Sequence, residues 1–138
     1  MDRETDADKI EDAGSQRVWL SVIIPTLNEK NCIGRTIRSA RQGRGVEILV
    51  VDGGSSDRTV PLSKAHGARV ARCEPGRGRQ LARGAELATG DTLLFLHADT
   101  RLPTGYTGQV RQLLERPGTI AGAFRMAFDQ RGPSLWLI

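Results

Sequence analysis

A histidine and an aspartate separated by one residue, His97 and Asp99, follow the apolar run that opens at Thr92. Side chains two apart in extended chain point to the same side, so an imidazole and a carboxylate can face one ligand. A carboxylate just beyond an apolar strand must meet solvent, a cation or a donor. Hard oxygen ligation suits Mn2+ or Mg2+, which bind through one or two carboxylates plus substrate phosphates. Asp99 is therefore expected to hold a metal. A lone histidine reads first as a core residue satisfied by backbone, and whether His97 ligates the metal directly stays open.

Three further polar clusters lie upstream: Asn28 with Glu29, Asp52 with Gly53 and Gly54, and Arg77 with Arg79. Asp52 can accept from a base or a ribose, and the glycines after it let backbone approach a ligand. The same Asp-Gly-Gly equally makes a plain turn. Arg77 and Arg79 suit diphosphate oxygens, against the alternative of exposed loop charges.

These clusters need elements to position them. The pattern predicts strands over 19–24, 47–51, 69–73 and 92–96, the first closed by Pro25, which cannot donate to a ladder. Helices are expected over 31–42, from a cap at Ser56 or Asp57 to Ala65, and over 79–88 with Leu81, Ala85 and Ala88 inward. After Pro103 a helix over 106–115 and a final strand over 119–128 follow. Strands alternating with helices imply an α/β fold with an open, mostly parallel sheet and flanking helices. Each polar cluster then falls at a strand's C-terminal end, on the edge where such sheets bind ligands. Any single cluster is ordinarily a solvated turn; four on one edge point to a site.

With 138 residues the chain has room for one domain, expected over 18–138. Residues 1–17 carry six acids against three bases and no period, and read as a disordered acidic tail. The net charge of +4 is almost wholly arginine, which favours forked contacts to an anionic ligand. Aromatics are 4% of residues, with no interleaving among basic positions, which argues against a nucleic-acid partner. Leu81 stands where the dinucleotide fingerprint needs its third glycine, and no glycine-rich run ends in Gly-Lys-Ser/Thr. Cys32 and Cys73 form no CxxC pair, which argues against a zinc knuckle or a redox motif, and a reducing cytoplasm is the expected location. No signal peptide or membrane span is readable.

In order along the chain, Ser-Val-Ile-Ile-Pro-Thr-Leu-Asn-Glu (21–29), Glu-Ile-Leu-Val-Val-Asp-Gly-Gly-Ser-Ser-Asp-Arg-Thr (47–59), Gly-Arg-Gly-Arg-Gln-Leu-Ala-Arg-Gly-Ala (76–85) and Gly-Asp-Thr-Leu-Leu-Phe-Leu-His-Ala-Asp-Thr (90–100) resemble the family 2 glycosyltransferases of GT-A fold. The Arg-Gly-Arg-Gln and Leu-His-Ala-Asp-Thr wording is most similar to a bacterial subgroup. The resemblance implies a nucleotide-sugar donor and inverting glycosyl transfer to an acceptor it does not identify. It places Pro25, Asn28 and Glu29 beside the nucleoside, Asp52 at the base, Arg77 and the start of the following helix near the diphosphate, and Asp99 on the bridging metal. The family's metal motif is Asp, any residue, Asp; with His97 at the first position, action through water or orientation is implied there. The family's catalytic base is an acid of the acceptor half, further downstream than Ile138, and Asp129 is too early to match. The expectation is a donor-binding portion, truncated or in need of a partner chain, with a noncatalytic nucleotide-sugar-binding module as the alternative. Peripheral membrane association and homo-oligomerisation stay open.

Overall fold

The computed structural model describes residues 17–125, whose element order is β1 (Leu20–Thr26), α1 (Ile33–Ala40), β2 (Val46–Asp52), α2 (Thr59–Ala65), β3 (Arg69–Arg72), α3 (Arg77–Leu87), β4 (Thr92–Phe95) and α4 (Tyr106–Leu114). The expected acidic tail over 1–17 lies outside the described residues except for Arg17. The strands form one parallel sheet in the order β3-β2-β1-β4. β1 leads outward through β2 to β3, and the chain then returns past β1 to lay down β4. Right-handed crossovers accordingly put α1 and α2 on one face and α3 on the other. The direction reverses between β1 and β4, and that reversal is the topological switch point.

The central strands are buried on both faces, as their continuous Val/Ile/Leu runs require. Ile23, Leu49 and Val51 form the core beneath α3, with Leu81, Ala85 and Ala88 packed half-buried against it. The alternate residues Val22, Ile24 and Val50 point to the opposite face and are equally buried. At the other end of the sheet Ser21 and the Thr89 amide both donate to Oε1 of Glu47, at 2.6 and 2.5 Å. Burial works to raise the Glu47 carboxyl, and these hydrogen bonds outweigh it and hold it below its usual range.

Several expectations need correcting. β1 is not closed by Pro25 but runs through it to Thr26. The apolar run over 92–96 reads as a buried strand, yet among the described residues β4 lies at an edge of the sheet, with Leu93 39% and Phe95 51% exposed. α3 begins at Arg77 rather than Arg79, because Gly76 already caps it: its φ of 142° is a conformation few other residues adopt, and its carbonyl accepts the Gln80 amide. No strand forms over 119–125, where Ile120 is 97% exposed; β-propensity without a ladder partner does not make a strand. The rest of that expected strand, 126–128, lies outside the described residues.

The chain divides into two compact units at Tyr106/Thr107. In the second, Gly122 packs so closely on Leu113 of α4 that a Cβ at 122 would lie 2.2 Å from Leu113 Cδ2.

Candidate functional site

The site begins with a missing hydrogen-bond donor. The β1–β4 pairing ends at Ile23↔Phe95, with the Leu96 amide donating to the Ile23 carbonyl at 2.9 Å. In a parallel ladder, alternate residues of β1 face β4, so the next donor would be the amide of Pro25, which does not exist. On its other side β1 continues, and the Gly53 amide donates to the Thr26 carbonyl at 2.9 Å. β4 therefore parts from β1 at this point while β2 stays. A cleft of about 150 Å3 opens there, lined by Pro25, Arg77, Leu81, Phe95, Leu96 and His97. Three residues singled out from sequence, Pro25, Arg77 and His97, thus come together.

Arg77 reaches the cleft because α3 approaches the sheet closely. A Cβ on Gly84 would lie 2.3 Å from Ile23 Cγ2, so only glycine lets the helix sit this near. One turn earlier Gln80 is buried, and its Nε2 donates to the carbonyls of Thr26 and Val51 at 2.9 and 2.8 Å. Residues 74–79 are all exposed. Among the described residues neither Arg77 nor Arg79 has a hydrogen-bond or ion-pair partner, which leaves both guanidinium groups to an outside anion. Arg79 is not part of the cleft lining; its stem lies over Gly76.

Beyond β4, residues 97–100 form a turn closed by the Thr100 amide donating to the His97 carbonyl at 3.1 Å. The Thr36 hydroxyl anchors it from α1 by donating to the Ala98 carbonyl at 2.6 Å. Ala98 is buried and His97 and Asp99 are exposed on either side of it, so the pair is presented outward by a turn rather than by extended chain. Among the described residues the Asp99 carboxylate accepts only from Thr100, at 3.3 Å. Among the described residues no three of His, Cys, Asp and Glu converge to hold a metal. Asp99 with His97 fits a hard divalent cation that takes its remaining ligands from phosphate and water.

The first two loops are joined to each other. Asn28 adopts φ 55°, and its Oδ1 accepts from the amides of Ser56 and Asp57, at 2.9 and 3.3 Å. The Asn28 amide donates to Ser55 Oγ, and the Glu29 amide to Thr59 Oγ1, each at 2.8 Å. Asp57 accepts from the Thr59 amide at 2.8 Å and from its hydroxyl, and from the Lys30 amide at 3.2 Å. A little desolvation works against them, but these bonds and the Lys30 charge hold the Asp57 carboxyl below its usual range. The residue directly before α2 is Arg58, so Asp57 rather than Ser56 supplies the expected cap, from one position further back.

Asp52 requires a correction. Its side chain is fully buried, with Oδ1 accepting from Thr26 and Ser55 and Oδ2 from the amides of Gly54 and Ser55. Four donors consume its acceptor capacity, so the carboxylate shapes the loop and presents nothing to a base. Sequence reasoning missed Gln80, Thr36 and Ser55. None of the three carries a local signal of its role; Gln80 stands amid arginines and glycines.

The model of glycosyl transferase family 2 matches residues 21–137. Glucosyl-3-phosphoglycerate synthase of Mycolicibacterium smegmatis is 35% identical over 92 residues, 58% of this chain and 30% of that protein. The PGL/p-HBAD biosynthesis glycosyltransferase of Mycobacterium bovis is 37% identical over 91 residues, covering 59% and 36%. Glucosyl-3-phosphoglycerate synthase of Mycobacterium tuberculosis, in its complex with uridine diphosphate (UDP), superposes with a TM-score of 0.63 at 30% identity, over 75% of this chain and 42% of that one. S. aureus TarS 1-349 reaches 0.64 at 22% identity over 70% and 32%, a likeness of fold. The chain spans about a third of the length of the curated relatives it matches. With the parallel sheet, the switch-point cleft and this match over most of its length, the chain belongs to glycosyl transferase family 2.

Proposed function

We propose that this chain is the donor-binding portion of an inverting, metal-dependent glycosyltransferase whose donor is a nucleoside-diphosphate sugar. The observation that carries this reading is the switch-point cleft, where Arg77, whose guanidinium has no partner among the described residues, lines the same wall as Pro25 and His97. The donor's diphosphate would lie between the first turn of α3 and the 97–100 turn. Arg77 supplies forked, charge-assisted hydrogen bonds to its oxygens, with Arg79 adding positive potential nearby. Pro25, Asn28 and Glu29 border the nucleoside, and Asp52 acts from behind by holding the loop they share.

Asp99, with His97 beside it, would hold Mn2+ or Mg2+, which when bound neutralises charge on a departing nucleoside diphosphate. Arg77 aids that departure by stabilising the same developing charge. The acceptor and the base that activates it are not assigned among these residues. UDP and Mn2+ are the first probes to use, because the related Mycobacterium tuberculosis synthase, 31% identical with a TM-score of 0.54, was crystallised with both.

Titration calorimetry of the chain with UDP in Mn2+ should give binding that Asp99→Ala abolishes and a chelator removes. Unchanged metal-dependent binding by Asp99→Ala would sink the reading.

A further inference from the structure

We infer that Gln80 is a positioning residue for donor binding, a clamp that fixes the first turn of α3 so that the Arg77 guanidinium stands over the diphosphate position. This rests on the donor-binding reading above. Gln80 is buried at the end of a run, 74–79, that is otherwise exposed. Gly76 caps the helix with no side-chain bond of its own. The polar fastening of this turn to the sheet is thus the Gln80 amide, bridging the Thr26 and Val51 carbonyls. Its Oε1 also accepts from the Gly76 amide at 3.4 Å, tying the cap to the same side chain.

At Thr26 the bridge does not serve to satisfy an orphaned carbonyl. Thr26 O already accepts the Gly53 amide at 2.9 Å, so losing the Gln80 bond leaves it paired. What the bridge determines is where the turn stands. Arg77 lies three residues before Gln80 on the same helix, so tilting the turn about that point moves Arg77 relative to the cleft. Gly53 completes the seat, since a Cβ there would lie 3.2 Å from the Gln80 amide atoms.

The test compares UDP with uridine, in Mn2+, on the full chain and on Arg77→Ala, Gln80→Met and the double variant. Arg77→Ala is expected to weaken UDP about tenfold, the scale of a charge-assisted contact, and to leave uridine unchanged. Gln80→Met should reproduce that pattern, and the double variant should bind UDP within about twofold of either single one. Losses that multiply, UDP binding by Gln80→Met equal to that of the unaltered chain, or uridine lost along with UDP would each overturn the assignment. Failure of the unaltered chain to bind UDP would instead overturn the donor-binding reading and this inference with it. Should Gln80→Met not fold, Gly53→Ala, which pushes on the clamp from the other side, must give the same selective loss of UDP, and normal UDP binding by it overturns the assignment.

Discussion

Pro25 and His97 line one cleft because the first withholds a ladder donor just where the second begins: with no amide on Pro25 to meet the Leu96 carbonyl, the β1–β4 ladder stops at the Leu96 amide and His97 departs from the sheet.

Restoring that donor should therefore narrow the site. In Pro25→Val the new amide faces β4, and its hydrogen exchange should be slowed as in a paired strand. UDP affinity should fall roughly tenfold, about 1.4 kcal/mol. A freely exchanging amide at position 25 with undiminished affinity would show that something other than proline holds the strands apart.

The two aspartates at strand tips should behave oppositely. Asp52 accepts four hydrogen bonds in full burial, so Asp52→Ala strands buried donors and should lower stability by about 2 to 4 kcal/mol in urea unfolding. Asp99 is exposed and, among the described residues, bonded only to Thr100, and Asp99→Ala should stay within about 0.5 kcal/mol. The reverse ranking would mean that the two carboxylates have been given each other's roles.

Alkaline pH should expose Tyr106. Its ring is fully buried, its hydroxyl donates to the Ala40 carbonyl at 2.7 Å, and burial pushes the phenol from 10.0 up to about 12. The folded chain therefore keeps a proton that the unfolded chain releases. That contribution is complete below pH 10 and disappears between 10 and about 12. Tyr106→Phe should remove an alkaline decline of roughly 2 to 3 kcal/mol from unfolding curves taken across this window. A decline of the same steepness in the variant would place its origin elsewhere.

The sheet and the edge that carries the cleft were legible in the chain, because β-branched runs cut by Gly, Pro and Asp mark strand ends by local chemistry alone. What resisted reading depended on partners far away in sequence. Asp52 turns inward because Thr26, 26 residues earlier, donates to it, and no local pattern tells an inward carboxylate from an outward one. Phe95 and Leu93 read as core, yet strand order leaves β4 at an edge. Gln80 sits among arginines, which is the pattern of a solvated helix face; only the closeness allowed by Gly84 turns it inward. Arg77 passed for loop because Gly76 reads as a helix breaker when it is in fact the cap.

The seam between Asn28 and the Ser55–Asp57 turn has a consequence for recognition. Its hydrogen bonds run in both directions, from backbone to side chain on each loop. The two loops are therefore one body, and their conformational entropy is surrendered during folding rather than on encounter. A ligand seated against them meets a wall already ordered, so little of its contact energy goes into freezing chain. Under the donor-binding proposal, discrimination at that wall becomes a matter of rigid shape, with a poorly matched base rejected because the loops do not rearrange around it.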